Sequence, residues 1–244
     1  MNAATSHSIV FREKPWPPPP DDIVKPLIYR EEINVSKHIP RLVDFQEQGH
    51  QINVGIKVPT RRYMDEFIRL KCAGDLLNLK VFPDAKEITE SMAAYRAAIK
   101  CLFDDFNPGD PTVACYVIGD GCTPRTAALL VFRTAWTCAS IDPRLRPKLV
   151  YEGIERLLVI PLTIEDTATC FDPEKYPPPK KALIIAVHSH ADLKKAVSLI
   201  NSKHKAVIAI PCCVPQELDI PPTYEFDDWG IWSPERTVKV WPRV

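Results

Sequence analysis

Glycine is scarce in this sequence, whereas proline is abundant. The 244 residues include 8 glycines and 25 prolines, while average proteins contain about 7% glycine and about 5% proline. Each glycine therefore has a raised chance of serving a backbone conformation that other residues avoid. Two of the eight, Gly119 and Gly121, lie in the stretch C-Y-V-I-G-D-G-C-T-P-R-T-A-A-L-L-V-F at 115–132.

No sign of charge dominates, and long apolar runs are missing. Lys and Arg number 31, as do Asp and Glu, so the net charge is zero and creates no overall field toward nucleic acid or membrane. A net charge of zero does not exclude a local basic patch. No run approaches the ~18 apolar residues of a membrane span, and the first residues lack the apolar segment of a signal peptide. We therefore expect no membrane partner and a cytoplasmic location, with a nuclear one as the alternative.

Zinc-binding spacings are also missing. None of the eight cysteines forms a C-x-x-C pair, and no Cys/His pair has zinc-site spacing. Cys115, Cys138, Cys212 and Cys213 lie in apolar runs, where a free cysteine packs as a small hydrophobe. We expect free thiols in a reducing compartment and no metal site.

Residues 1–58 are predicted to form an irregular, Pro-rich N-terminal extension. The segment K-P-W-P-P-P-P-D-D at 14–22 has polyproline II character, which is typical of a stiff arm and also suits docking on an aromatic groove of another protein. A short strand is predicted over 52–60. Residues 59–244 are predicted to form a helical lead-in followed by one α/β domain.

Two helices are predicted in the lead-in. The first would begin at an N-cap, Thr60, and end at Gly74. The second would follow Asp84, which has capping-box spacing to Glu87. Its apolar residues recur every three or four positions, as expected for one buried helix face.

Strand and helix signals alternate beyond residue 111. Five apolar segments without polar alternation indicate strands buried on both faces, as in a parallel sheet covered by helices. They are 112–119, 136–142, 157–164, 180–188 and 205–213. The pattern predicts a Rossmann-like, doubly wound α/β sheet, mostly parallel, with a C-terminal antiparallel hairpin over 224–244.

The turn after the first strand is a candidate ligand site. In open α/β sheets ligands bind beyond the carboxyl ends of the strands, and Gly119 and Gly121 permit a close backbone approach there. Thr123 is a candidate cap for the next helix, whose free N–H groups suit an anionic or carboxylate-bearing ligand. An ordinary strand-to-helix connection is the alternative.

Asp142 strengthens the ligand interpretation. It ends the second strand about 20 residues after the glycines, where nucleoside-binding folds place an acid that contacts the ribose. As the alternative, it caps a turn before Pro143. A dinucleotide fingerprint is disfavoured, because Pro124 occupies the place of its third glycine. S-adenosylmethionine, which carries no phosphates, fits better.

The ordered segments Y-V-I-G-D-G, S-I-D-P-R-L, L-T-I-E-D-T, A-V-H-S-H-A-D-L and A-I-P-C-C, within about 85–215, resemble the class I S-adenosylmethionine-dependent methyltransferases. The resemblance implies S-adenosylmethionine as cofactor and assigns ligand-binding positions along the chain. Its methionine part would lie on Gly119, Asp120 and Gly121, its ribose on Asp142, and its adenine near Glu165 or Asp166. Thr123, in the same turn, is a further candidate for cofactor binding. The stretch 184–213 resembles an RNA-directed methyltransferase-like subgroup, with H-S-H-A where H-L-C-G would stand.

The sequence also departs from that family. In the pattern acid-x-Gly-x-Gly-x-Gly, Val117 takes the acid position and Thr123 the third glycine. No Asn/Asp-Pro-Pro-Tyr motif and no clear Lys-Asp-Lys-Glu set is present. These departures favour a second hypothesis, in which the chain is an inactive methyltransferase-fold protein serving as a binding or structural module in a larger assembly.

His188 and His190 are the catalytic candidates. They follow the fourth strand, and histidine acts as a general base near neutral pH. Alternatively, the segment begins a helix, with Ser189 as N-cap and Asp192 in the first turn. A metal held between this segment and the Cys-Cys pair is the weakest option, because adjacent cysteines are poor joint ligands.

The first hypothesis is therefore a methyltransferase whose acceptor is RNA or protein. Basic clusters at 61–62, 144–148 and 180–181 are candidate phosphate contacts, although charge runs are usually solvated. Trp229, Trp232 and Trp241 are candidates for stacking on a base or for fixing the terminal hairpin.

Overall fold

The computed structural model describes residues 45–47, 50–52, 61–170 and 178–244. Strands β1 (Phe45–Glu47) and β2 (His50–Ile52) form an antiparallel pair. The Pro-rich segment at 14–22 lies outside the described residues, as does most of the strand predicted over 52–60. The division predicted between 58 and 59 falls there too.

Within the described residues, the helical lead-in contains three helices: α1 (Arg62–Phe67), α2 (Ala73–Asn78) and α3 (Ala85–Cys101). The single helix predicted between Thr60 and Gly74 is wrong, because the chain turns after α1 and α2 runs through Gly74. Each short helix buries its own apolar residues, so the apolar spacing restarts between them.

Helix α3 begins as its sequence predicts. Asp84 is the N-cap, and its Oδ1 accepts a hydrogen bond from the Glu87 N–H at 3.0 Å. The apolar residues of α3 pack against the sheet and against α1 and α4, and Met92 and Tyr95 are fully buried.

Seven strands form one mixed sheet. They are β3 (Val113–Ile118), β4 (Thr137–Ile141), β5 (Leu157–Ile160), β6 (Lys181–Val187), β7 (His204–Ile210), β8 (Tyr224–Asp227) and β9 (Thr237–Trp241). The strand order is β5-β4-β3-β6-β7-β9-β8, in which β3 to β7 are parallel and the β8–β9 hairpin is antiparallel. The predicted fold class is confirmed, and β9 inserts between β7 and β8.

Helices cover both faces of this sheet. The connections contain α4 (Arg125–Arg133), α5 (Leu149–Glu152), α6 (Ile164–Cys170) and α7 (Leu193–Leu199). One apolar core joins a sheet face to α1 to α4, and a second joins the opposite face to α6 and α7. Successive strand residues alternate between the two cores, as the pleat requires.

The topology creates a switch point at β3, which pairs with β4 on one side and with β6 on the other. The chain leaves β3 toward β4 and returns later to β6, so the connections diverge and leave a crevice at the carboxyl ends. The glycine turn, Asp142 and the segment after β6 all lie at this edge. Within the described parts of the chain, no helix is long and apolar enough to cross a bilayer.

Candidate functional site

The glycine turn after β3 has the backbone geometry that only glycine adopts readily. Gly119 and Gly121 have φ values of +71° and +84°. A Cβ at Gly119 would overlap the Ser189 hydroxyl and lie 3.0 Å from the Ser189 Cα. A Cβ at Gly121 would overlap the Arg125 guanidinium. The turn therefore packs tightly against the segment after β6.

Asp120 points inward rather than into the crevice. Its buried carboxylate accepts hydrogen bonds from the N–H groups of Thr126 and Ala127 at 3.0 and 3.2 Å, and from the Ser140 hydroxyl at 2.9 Å. Burial raises the pKa of Asp120. The Arg125 charge and these hydrogen bonds offset part of that increase. Asp120 thus caps α4, and a ligand in the crevice would meet its backbone.

Thr123 does not cap α4 through its side chain, so that interpretation is wrong. Its hydroxyl donates to the Val81 carbonyl at 2.5 Å and ties the turn to the segment before α3. The structural reason is that Asp120 already occupies the first N–H groups of the helix. Thr123 stays a candidate contact for a ligand only through its position in the turn.

Asp142 is joined directly to the glycine turn. Its carboxylate, only 3% exposed, accepts the Gly121 N–H at 2.9 Å through Oδ2 and the Arg144 N–H at 2.7 Å through Oδ1. The Arg144 guanidinium lies 3.4 to 3.5 Å from the same oxygens, while its side chain is 69% exposed. Asp142 therefore does cap the turn at Pro143, as the alternative predicted. The same carboxylate lies at the carboxyl edge of the sheet.

Glu165 and Asp166 lie in the first turn of α6, beyond β5 and two strands away from β3. Glu165 pairs with Lys195 at 3.0 Å, and a hydrogen bond from its own backbone together with Lys195 lowers its pKa. The Thr163 hydroxyl accepts the Asp166 N–H at 3.1 Å and donates to the Asp166 carboxylate at 2.8 Å. Both carboxylates therefore have structural partners, Glu165 on α7 and Asp166 just before α6.

His188 is held between two elements. Its backbone is left-handed, with φ +47°, its Nδ1 lies 3.2 Å from Glu90 Oε1, and its Nε2 lies 3.1 Å from the Glu235 carbonyl oxygen. Both ring nitrogens thus face oxygen acceptors. His188 connects α3 to the β8–β9 loop.

Glu90 is the site residue that the sequence did not reveal. It is 1% exposed on α3 and also accepts from Lys86 Nζ at 2.9 Å. Burial acts to raise the pKa of Glu90, but His188 and Lys86 together bring it below its ordinary value. The sequence signal that could have identified Glu90 is a carboxylate placed within the apolar face of α3.

The helix after β6 has its N-cap at Asp192 and not at Ser189 as predicted. Asp192 is the N-cap of α7 and accepts the Lys195 N–H at 3.0 Å, so Ser189 as N-cap is wrong. Ser189 instead accepts the Ala191 N–H at 3.1 Å, because α7 begins later than expected. His190 is exposed, and its Nε2 lies 3.4 Å from Cys213 Sγ.

The Cys-Cys pair follows β7 at the same edge. The two Sγ atoms lie 3.8 Å apart, and a hydrogen bond with Cys212 is the main cause that raises the pKa of the Cys213 thiol. A thiol with a raised pKa is a poor nucleophile at neutral pH. Seven cysteines with described side chains form no disulfide, as expected.

The basic clusters lie at opposite edges of the sheet. Arg144, Arg146 and Lys148 are exposed after β4 at the carboxyl edge. Lys181 begins β6 at the amino edge and pairs with Asp110 at 3.0 Å. Trp241 is buried and donates to the Ile220 carbonyl at 2.9 Å, so it fixes the terminal hairpin.

A cavity of about 430 Å³ lies beside β5. Its lining comes from β5, from α5 and the residues before it, and from Leu162 and Thr167 near α6. The glycine turn and Asp142 are not part of that lining, so cavity size alone does not identify the crevice. The features that define the candidate site are the glycine turn and the Asp142 carboxylate.

Comparison with known proteins finds solved structures of low sequence identity and low structural similarity. No family model and no curated protein matches the chain. Three solved structures of the nicotianamine synthase MtNAS each cover 75% of this chain. A point mutant is 14% identical over 69% of its chain with a TM-score of 0.42, and its complex with S-adenosylmethionine is 13% identical over 70% with 0.43. A complex with MTA and tNA is 13% identical over 69% with 0.44.

Substituting the two glycines should have unequal effects on stability. Gly119→Ala is expected to lower the free energy of unfolding by about 2–4 kcal/mol, because positive φ and a backbone contact at Ser189 combine. Gly121→Ala should cost about 1 kcal/mol, since the Arg125 side chain can move away. Urea unfolding of both variants measures the difference, and equal losses would contradict the packing of Gly119 on Ser189.

Replacing Glu90 by Gln should lower stability at neutral pH but not in acid. Because the folded-state pKa of Glu90 is below the unfolded value of about 4.3, its charge stabilises the fold above that pH. The contribution is lost as pH falls through the folded pKa. We expect the free energy of unfolding of the wild type to exceed that of E90Q by about 1–3 kcal/mol at pH 7. This difference should disappear below about pH 4.

Glu87→Gln is the matched control for that series. Glu87 lies on the same helix, and burial raises its pKa although Arg125 acts to lower it. The carboxyl group of Glu87 therefore binds a proton more tightly in the folded protein than in the unfolded chain. As pH falls, the wild type should gain stability relative to E87Q. Urea unfolding across pH 3–7, about the range of these transitions, tests both. Slopes of the same sign would overturn the assignment for Glu90.

Proposed function

We propose that this chain binds S-adenosylmethionine at the glycine turn and transfers its methyl group to an acceptor. The observation that carries the proposal is one hydrogen bond at the switch point. The Gly121 N–H, in a left-handed turn after β3, donates at 2.9 Å to the buried Asp142 carboxylate at the end of β4. Ligands of open α/β folds bind in this crevice.

The carboxylate of Asp142 has the capacity to hold a ribose. An ionised carboxylate offers about four acceptor positions, and the two short hydrogen bonds from Gly121 and Arg144 occupy two of them. The guanidinium contacts of Arg144 are long, and that side chain is mostly exposed. Two vicinal ribose hydroxyls would replace those long contacts.

The glycine turn supports the same ligand. With no Cβ at Gly119 or Gly121, the backbone can contact the methionine part closely. Asp120 would contribute its backbone, because its side chain caps α4. Glu165 and Asp166 stay proposed adenine neighbours, and a hydrogen bond to the adenine would compete with Lys195 for Glu165 and with Thr163 for Asp166.

The sheet order adds support by analogy of fold. Its parallel strands β3 to β7 and its antiparallel β8–β9 hairpin agree with the Rossmann-like sheet that the resemblance implies. A fold alone does not define an activity, so the geometry of the glycine turn supports the proposal more strongly than the sheet does.

When bound, S-adenosylmethionine supplies a sulfonium methyl group open to direct attack by an acceptor nucleophile. The chain would contribute positioning, which can account for much of the rate of such a reaction. His188 and His190 are proposed to line the acceptor side. Before His188 Nε2 could accept a proton, the ring would have to leave the Glu235 carbonyl.

For the acceptor, we propose RNA. The exposed cations Arg144, Arg146 and Lys148 lie at the carboxyl edge, on the same side of the sheet as the glycine turn. Such a set suits phosphate contacts, which position a nucleic acid without selecting its sequence. A protein acceptor is the other outcome of the test.

Calorimetric titration with S-adenosylmethionine tests the proposal. We expect micromolar binding by the wild type and at least about tenfold weaker binding by Asp142→Asn, which removes a charge-assisted contact to the ribose. Asp219→Asn is the matched control, because Asp219 is exposed and pairs with Lys194 on α7. Circular dichroism confirms that each variant is folded.

Absence of binding by the folded wild type would overturn the proposal and favour a non-catalytic binding module. If binding occurs, labelled methyl groups should enter total RNA and be released by ribonuclease. Label in the protein fraction would instead identify a protein acceptor and contradict the RNA assignment.

A further inference from the structure

Three soft or borderline ligand groups converge beside the proposed crevice. His190 follows β6, while Cys212 and Cys213 follow β7, and β6 and β7 are neighbouring parallel strands. One donor atom from each of the three side chains lies within 4.8 Å of the other two. These residues, His190, Cys212 and Cys213, are called the thiol–imidazole cluster below.

Two of the donor separations match a tetrahedral metal site. Zinc bonds of about 2.3 Å to sulfur and about 2.0–2.1 Å to nitrogen imply about 3.8 Å between two sulfurs and about 3.6 Å between sulfur and nitrogen. The structure has 3.8 Å between the two Sγ atoms and 3.4 Å between Cys213 Sγ and His190 Nε2. The third separation, at most 4.8 Å, would shorten with a rotation of the half-buried Cys212 side chain.

The backbone explains how adjacent cysteines can act together. Along an extended strand, neighbouring side chains point to opposite faces, which would separate the two thiols. Strand β7 ends at Ile210, and the chain bends at residues 212–214. The bend brings both sulfurs to one side, which removes the objection that adjacent cysteines are poor joint ligands.

A buried side chain fixes the two halves of the cluster relative to each other. Gln216 is 1% exposed, and its Nε2 donates to the carbonyl oxygens of Ser189 and Ala191 at 2.8 and 3.3 Å. It thus holds the backbone on both sides of His190 from a position just beyond the cysteines. Such supporting hydrogen bonds orient ligands in metal sites.

We propose that the thiol–imidazole cluster binds a zinc ion through two thiolates and one imidazole, with the fourth position open to water or another ligand. Two sulfur ligands and one nitrogen ligand suit zinc and disfavour magnesium or calcium. The site does not depend on S-adenosylmethionine binding. It lies at the same edge as the glycine turn, because Ser189, next to His190, packs on Gly119.

Metal analysis of the tag-free full chain, equilibrated with micromolar zinc and then desalted, tests this site. We expect about one zinc ion per chain, and at least tenfold weaker zinc binding after Cys213→Ala or His190→Ala, since each removes one of three ligands. Cys122→Ala is the matched control, because Cys122 is an exposed thiol outside the cluster and should leave the zinc content unchanged. Cobalt substitution should give a thiolate charge-transfer band that Cys212→Ala weakens.

Alkylation of the wild type provides a second measurement that needs no variant. Bound zinc should protect Cys212 and Cys213 from iodoacetamide while Cys122 reacts at the same rate with and without zinc. Zinc content far below one per chain, equal zinc loss in Cys122→Ala and Cys213→Ala, or no selective protection would each overturn the site. Because none of these measurements uses S-adenosylmethionine, their failure is distinct from failure of the proposed function.

Discussion

The hydrogen bond from the Gly121 N–H to the Asp142 carboxylate joins the ends of β3 and β4 and defines the geometry of the candidate site. Glycine suits this position, because the backbone has a positive φ and the Arg125 guanidinium lies where a Cβ would stand. The Asp142 carboxylate is buried, and a buried charge requires hydrogen-bond partners. A single contact therefore links the scarce glycines to the placement of an acid at the edge of the sheet.

Two carboxylates near this edge, Asp120 and Asp142, face in different directions. Asp120 faces inward, caps α4 and accepts the Ser140 hydroxyl of β4, so it fixes the helix against the sheet. Asp142 faces the edge and keeps acceptor capacity beyond its two short hydrogen bonds. On the other side of the switch point, His188 and the buried Glu90 hold α3 to the segment after β6.

The sequence predicts the sheet well because its strands are apolar on both faces, and that pattern distinguishes a covered parallel sheet from one exposed to solvent. It predicts the start of α3 because the capping interaction of Asp84 is local. It fails where a cap comes from outside its usual position and where contacts join distant segments. Asp120 reaches the N–H groups of Thr126 and Ala127 past Thr123, the residue that propensity favours as a cap. The thiol–imidazole cluster draws on two strand ends, so no linear spacing reveals it.

Hydrogen–deuterium exchange with and without S-adenosylmethionine tests the central claim most directly, because it locates the ligand without a variant. The account predicts slower exchange in peptides covering 118–126 and 140–146, where the glycine turn, the start of α4 and the Asp142 turn lie. Unchanged exchange in these peptides, or protection confined to the cavity beside β5, would contradict a ligand site built on Gly119, Gly121 and Asp142.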